Sequence, residues 1–173
     1  MNVHEAIRTR KSVREYLPKP VEPEKLARIL ESVRLAPSAK NRQEWRFVIV
    51  RDEAARRKLK PAAADQAFVE QAPVVIACCA ETDGSCMRCG IESYKIDLAI
   101  AIDHLTLAAV EEGLGTCWIG AFYPDMVREI LGIPGSVEIV ELLTLGYPAD
   151  PAVREKNRLP LDETIYRECW PSD

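Results

Sequence analysis

The sequence is poor in several features that mark common protein classes. It contains only two histidines in 173 residues, His4 and His104, so a Ser-His-Asp or Cys-His catalytic system is poorly supplied. No apolar run approaches the ~20 residues that span a bilayer. The first residues lack the apolar segment of a secretory signal. We therefore expect a cytoplasmic protein that does not cross a membrane.

Two common nucleotide-binding motifs are also missing. The segment 113–122 has glycines at positions 113, 115 and 120, but it contains neither GxGxxG nor GxxxxGK. A Rossmann domain or a P-loop hydrolase therefore has no support. The glycines instead predict a place where the backbone closely approaches a ligand.

The cysteines do not form a recognisable framework. Without an export signal, disulfides among the six are not expected. Cys86 and Cys89 form a single CxxC, and no second pair stands at zinc spacing. Cys78 and Cys79 should alternate across a buried strand. Ordinary structural cysteines are favoured, while a metal or cluster site and a redox dithiol remain alternatives.

The apolar pattern predicts one domain in residues 1–150 and an arm in residues 151–173. Hydrophobic residues make up 47% of the chain, which is enough for a core. Asn2 and Asp52 are candidate helix N-caps, and Gly132 is the predicted end of the helix at 124–131. The strand 74–80 is apolar on both faces, as in a central strand covered by helices. Helices are predicted at 2–10, 23–36, 52–60, 91–112 and 124–131, and strands at 45–51, 74–80, 116–119 and 137–145. The layout is α/β or α+β, with a mixed sheet surrounded by helices.

Positive charge is concentrated towards the N-terminus. Residues 1–60 hold 16 Lys and Arg against 8 Asp and Glu, whereas the remainder holds 7 against 19. The basic residues alternate with Glu and form no aromatic stacking platform, so nucleic acid is not the expected partner. The segment 10–14 (RKSVR) and the segment 156–158 (KNR) would form a phosphate clamp if they met in space. Taken singly, each segment is equally typical of a solvated charged face.

One further polar segment, residues 36–45, joins a helix to a strand. Its amides could read the edge of a heterocycle. By residue type alone, an ordinary loop with turn-forming Ser and Asn is the favoured interpretation. A phosphate clamp with apolar walls and no acid–base machinery is typical of a protein that relies on a cofactor for its chemistry.

Five segments together resemble the FMN-dependent nitroreductase family. In chain order they are RKSVR, APSAKNRQEWRF, GLGTCWIGAF, LGYP and KNRLPLDE. The resemblance runs from about Ala6 to Glu163. It implies an α+β fold, an obligate homodimer and two FMN molecules at the dimer interface, with the arm reaching across the dimer. Residues 1–150 would form the FMN-binding domain, and the arm would complete the phosphate site.

The resemblance also implies which residues bind FMN. The phosphate, ribityl chain and pyrimidine edge would meet Arg10, Lys11, Ser12 and Arg14, with Lys156 and Arg158 closing on the phosphate. The other subunit would supply Pro37, Ser38, Ala39, Asn41 and Gln43. Backbone N–H groups of Ile119 and Gly120 would face flavin N5 and O4. Gln66 is a further candidate for the pyrimidine edge.

The activity implied by the resemblance is ping-pong transfer of electrons from NAD(P)H to nitroaromatics, quinones or related acceptors. Flavin carries the chemistry, so no side chain is assigned as catalytic. Three alternatives stay open. They are a flavin enzyme with another task, such as dehalogenation or flavin fragmentation, a flavin-binding protein without turnover, and a redox protein built on a metal or cluster at Cys86 and Cys89.

Overall fold

A four-stranded sheet forms the centre of the molecule. We describe a computed structural model of the chain, covering residues 1–171. Its strands are β1 (Trp45–Val50), β2 (Val74–Ala80), β3 (Gly115–Ile119) and β4 (Glu138–Gly146), in the order β1-β2-β4-β3. All neighbouring strands are antiparallel. An isolated parallel bridge between Ser12 and Thr116 places the chain after the first helix beside the edge strand β3.

Six α-helices surround this sheet, and all but one of them were predicted. They are α1 (Val3–Thr9), α2 (Pro23–Arg34), α3 (Glu53–Ala62), α4 (Phe68–Gln71), α5 (Ser93–Glu111) and α6 (Pro124–Leu131). Both predicted N-caps are confirmed: Asn2 forms a capping box with Glu5, and the Asp52 side chain accepts from the backbone N–H of Ala55. Gly132, with a φ of 65°, ends α6 as predicted. The short α4 was not predicted, because four residues carry no periodic signal.

The core has two halves, one on each face of the sheet. Helices α3, α4 and α6 pack on one face, and α2 and α5 pack on the other. Strand β2 is buried along its whole length, which confirms its central position. Cys78 belongs to one half of the core and Cys79 to the other, so the two cysteines alternate across the strand as predicted. None of the helices in residues 1–171 is long and apolar enough to cross a bilayer.

The C-terminal arm leaves this body after Pro148. Every described residue from 151 onward is exposed except Lys156, which is half-buried. Leu161 and Trp170 are 72% and 77% exposed. A short 3-10 turn spans Leu161–Glu163, and the rings of Tyr166 and Trp170 lie 4.8 Å apart. The apolar side chains of the arm are therefore not covered by the chain's own body.

Gly115 permits the close contact between the chain after α1 and strand β3. A Cβ at this position would overlap Cγ2 of Val13 and lie 3.2 Å from the Val13 Cβ. The sequence predicted that the backbone at this glycine would lie close to a ligand. In the structure it lies close to the Val13 side chain instead. Gly115 thus positions the RKSVR segment against the sheet.

Replacing Gly115 with Ala should destabilise the protein by about 1–3 kcal/mol, because the added methyl group overpacks the contact with Val13. Urea unfolding measures this change. Gly135→Ala is the matched control, since no atom lies within 4 Å of its Cβ position, and it should change stability by less than about 0.5 kcal/mol. Equal unfolding midpoints for the two variants would contradict the packing role.

Candidate functional site

The segment that follows α1 runs along β3 and places its polar residues outward. Arg10 ends α1, and its N–H donates to the Ala6 carbonyl at 2.9 Å. The Val13 N–H donates to the Thr116 carbonyl, also at 2.9 Å. Successive side chains of an extended segment point to opposite sides. Val13 is consequently buried, while Ser12 and Arg14 are exposed.

The arm returns to the end of α1 and brings the two basic segments together. The Lys156 ammonium donates to the carbonyl of Ile7. Burial lowers the pKa of Lys156, and the nearby charges of Arg10 and Arg158 lower it further. We call Arg10, Lys156 and Arg158 the cation cluster. The condition for a phosphate clamp, that the two segments meet, is fulfilled.

The cation cluster lacks an acidic partner in the part of the chain that the structure describes. Among residues 1–171, none of its three members forms an ion pair with Asp or Glu. Some other basic side chains do have acidic partners, such as Arg28, which pairs with Glu112 at 2.6 Å. Like charges held together repel, and a bound anion would relieve that repulsion. A solvated charged face would not bring three cations to one place.

Lys11 has a different environment from the cation cluster. Its ammonium donates to the carbonyls of Asp150 and Ala152, both at 2.7 Å, and lies 3.9 Å from the Asp150 carboxylate. These contacts tie the start of the arm to the segment after α1. Lys11 therefore holds the arm in place in this structure.

Ser12 and Arg14 lie over the middle of β3. Burial raises the pKa of the Cys117 thiol, whereas the charge of Arg14 and a hydrogen bond with Ser12 lower it. Both side chains also line an open pocket of about 340 Å³ beside the arm. Arg14 thus presents a cation partway between the cation cluster and the end of β3.

The end of β3 offers an open backbone at Gly120. Ile119 is buried and stands in register with Leu142, whereas Gly120 is exposed. The nearest atom to a Cβ at Gly120 would be Oε1 of Glu141, at 3.9 Å. The backbone of Ile119 lies close enough to that carboxyl to lower its pKa. Of the two predicted backbone donors, Gly120 is the more accessible.

Gln66 lies beside this end of β3. Its side-chain amide donates to the Ala63 carbonyl at 2.9 Å and to the Ala121 carbonyl at 3.4 Å. The two residues before it, Ala64 and Asp65, have φ values of 53° and 57°. Such left-handed non-glycine residues are strained and occur most often at functional sites. The structure thus brings this candidate next to Gly120.

The loop of residues 37–43 is held in a defined shape. The Ala39 N–H donates to both carboxylate oxygens of Asp97 in α5, at 3.0 and 3.1 Å. The Ser38 hydroxyl accepts from the Gln43 N–H at 3.1 Å. Asn41 and Gln43 have φ values of 56° and 53°. Pro37 is exposed and enters the loop. These bonds stabilise a backbone that is costly for residues other than Gly and Asn.

Glu44 follows this loop and is buried. The residue is 7% exposed, and its carboxylate accepts from Arg42 at 3.1 Å, while Arg42 also contacts Asp83 at 2.6 Å. The Arg42 guanidinium holds the pKa of Glu44 below its usual range, against the opposing effect of burial. This ion-pair network fastens the loop to the segment that leads into the CxxC.

The loop and the cation cluster lie far apart in one chain. The loop is anchored at Asp97, near the start of α5, whereas Thr9 and Lys11, on either side of Arg10, line one pocket with Val110 near the other end of that helix. Asp97 and Val110 are 13 positions apart, a rise of about 20 Å along the helix. Among the described residues, no hydrogen bond or ion pair joins the loop to the cation cluster.

The CxxC lies in an exposed turn. Cys86 and Cys89 are exposed and form no disulfide with one another, and the Gly90 N–H donates to the Met87 carbonyl at 2.8 Å. Within residues 1–171, no group of three or more His, Cys, Asp and Glu side chains could hold a metal ion. A metal centre at Cys86 and Cys89 has no third ligand in this part of the chain.

Two site residues escaped sequence reasoning. Asp97 anchors the loop, and Glu141 lies beneath Gly120. Each could have been noticed as a lone carboxylate in an otherwise apolar segment. Nothing in the sequence indicates which backbone groups they meet, because their partners lie far away along the chain.

Three comparisons with known proteins, by family model, by sequence and by structure, agree with one another. The family model described as "Nitroreductase family" matches residues 7–96 and 90–147. A putative NADH dehydrogenase/NAD(P)H nitroreductase of Archaeoglobus fulgidus is 32% identical, over 95% of this chain and 96% of that protein. An FMN reductase [NAD(P)H] of Bacillus subtilis is 32% identical, over 92% of this chain and 71% of that protein. The crystal structure of a nitroreductase family protein of Clostridium difficile superimposes with a TM-score of 0.87, at 34% identity and over 98% of this chain and 100% of that one.

Proposed function

The chain belongs to the nitroreductase family, and on this basis we propose that it is an FMN-dependent oxidoreductase that takes hydride from NAD(P)H. The acceptors we assign are nitroaromatics, quinones or related small molecules, reduced by a ping-pong mechanism. The observation that carries the proposal is the cation cluster, which has no acidic partner within the described residues.

The described residues suit the phosphate end of FMN. Phosphate oxygens accept several charge-assisted hydrogen bonds at once, and arginine and lysine are the side chains that supply them. Arg10, Lys156 and Arg158 would hold the phosphate, and Ser12 would donate to it or to the ribityl chain. Lys11 would act through the arm, because its ammonium is already bound to the arm backbone.

The other end of the segment suits the flavin ring. FMN, when bound, accepts hydride from NAD(P)H and passes the electrons to an acceptor. Arg14 would favour the negative charge that the ring gains on reduction. The Gly120 N–H would orient the ring, with Ile119 beneath it, and the amide of Gln66 would meet the pyrimidine edge.

We also propose that the working unit is a homodimer. The loop and the segment that carries Arg10 lie at opposite ends of α5, about 20 Å apart along the helix, so we do not expect one chain to bring both to one ligand. A second chain would supply Pro37, Ser38, Ala39, Asn41 and Gln43 to the first chain's FMN. The uncovered apolar side chains of the arm, residues 151–171, suit packing on that partner. Residues 1–150 would form the FMN-binding body.

Purified protein supplied with FMN should bind it and become yellow. Anaerobic addition of NADH or NADPH should then bleach the oxidised-flavin band with about one equivalent per bound FMN, because one hydride carries both electrons. Absorbance titration measures this, with free FMN as the control. Failure to take up FMN, or bound FMN that neither nucleotide reduces, would contradict the proposed function.

Arg158→Ala should weaken FMN binding roughly 10- to 150-fold, since a hydrogen bond to a charged group contributes about 1.5–3 kcal/mol. Fluorescence titration of the apoprotein gives the dissociation constant. Arg154→Ala is the matched control, because Arg154 lies in the same arm but is paired with Asp150 at 2.7 Å. Equal FMN affinities in the two variants would remove Arg158 from the phosphate site.

A further inference from the structure

Glu141 is a half-buried carboxyl group in the sheet, and one of its oxygens has no hydrogen-bond partner. It lies on β4 in register with Cys78 of β2. Its Oε1 atom is shielded from solvent and makes no hydrogen bond. An ionised carboxylate is costly in such a position unless a cation or several donors compensate it. Burial raises the pKa of Glu141 above its usual 4.5, and only the Ile119 backbone opposes that shift.

The carboxyl group is held directly beneath the open backbone of β3. Ile119 pairs with Leu142, so Glu141 is opposite the next residue, Gly120. Oε1 lies 3.9 Å from the position of a Gly120 Cβ. The register of β2 and β4 shifts between Cys78 and Cys79, next to Glu141. Such bulges redirect side chains beside functional sites.

Among residues 1–171, Glu141 forms no ion pair with Lys, Arg or His, although Arg10 and Arg14 act on the pKa of Cys117 as Glu141 does. The titratable groups that sense it are two thiols, Cys78 of β2 and Cys117 of β3. Burial is the main reason why the pKa of each thiol is raised, and Glu141 raises both further. No Lys, Arg or His contributes to the pKa of Glu141 itself. Its charge is therefore sensitive to any other charge that develops at the end of β3.

We propose that Glu141 is a redox-linked proton acceptor, which is ionised beneath oxidised FMN and takes up one proton when FMN is reduced. The inference rests on the function proposed above. Hydride from NAD(P)H delivers two electrons and one proton and leaves NAD(P)⁺, so the cofactor gains one negative charge. Glu141 then converts from carboxylate to carboxylic acid with one proton from solvent. Oxidation of the cofactor by the acceptor returns that proton to solvent.

Two negative charges at close range each raise the free energy of the other. Solvent screens the shielded Oε1 atom of Glu141 less than it would screen an exposed carboxylate. A carboxyl group whose pKa is already raised by burial is the group that such repulsion protonates. Glu141 would therefore act through charge, without contact with the reacting atoms.

The test is the midpoint potential of bound FMN between about pH 5 and pH 8, in the wild type, Glu141→Gln and Glu138→Gln. Glu138 is the matched control, being an exposed carboxylate on the same strand. We expect the wild type and Glu141→Gln to have equal potentials at low pH. As pH rises, the wild-type potential should fall below that of Glu141→Gln by about 30 mV per pH unit. For a two-electron couple, this slope corresponds to a tenfold change in the equilibrium constant per pH unit. Glu138→Gln should follow the wild type.

Parallel potential curves for wild type and Glu141→Gln would overturn the inference while leaving FMN chemistry intact. Absence of FMN binding would overturn both proposals. If Glu141→Gln does not fold, Glu141→Ala removes the same charge.

Urea unfolding of the apoprotein at several pH values tests the raised pKa of Glu141 in the absence of FMN. Because its folded pKa is raised, Glu141 contributes stability below its unfolded pKa, and this contribution is lost as pH rises through the folded pKa. Glu141→Gln should therefore gain stability relative to wild type as pH rises. A difference in the free energy of unfolding between Glu141→Gln and the wild type that does not change with pH would contradict an uncompensated charge at Glu141.

Discussion

Repulsion within the cation cluster is the interaction on which the rest of the site depends. Arg10 is fixed by the end of α1, and the arm brings Lys156 and Arg158 back to it although no acidic side chain in the described residues pairs with them. Like charges held close together destabilise the folded state. A bound anion would relieve this repulsion, which is why we interpret the cluster as a phosphate site and not as a charged surface. Gly115 and Lys11 support it by fixing the segment after α1 and the start of the arm.

Helix α5 determines how the remaining parts of the site can combine. It is buried along much of its length, and the Asp97-anchored loop and the segment that carries Arg10 lie at its opposite ends. This separation within one chain supports our proposal that a second chain completes each site. The exposed arm has the apolar side chains for such an association. Dimerisation and cofactor binding would then stabilise one another by mass action.

Helix ends and the buried strand could be predicted from the sequence, whereas contacts between residues far apart in the chain could not. Asn2, Asp52 and Gly132 were predicted as helix ends because each acts on residues within one turn. The whole of β2 was evident from its unbroken apolar run. The resemblance to a family supplied the candidate binding residues, but it did not reveal that Lys11 would be bound to the arm. Glu141 and Asp97 were missed, since their roles depend on partners in other strands and loops.

The most direct test of the shared site is a purified heterodimer of two differently tagged chains, one carrying Arg158→Ala and the other Asn41→Ala. If each FMN is held by the cation cluster of one chain and the loop of the other, one of the two sites in this heterodimer is entirely wild-type. We predict that about half of the sites bind FMN with wild-type affinity, whereas both homodimeric variants bind weakly at every site. Weak binding at both sites of the heterodimer would contradict the shared site, as would a monomeric protein that binds FMN fully.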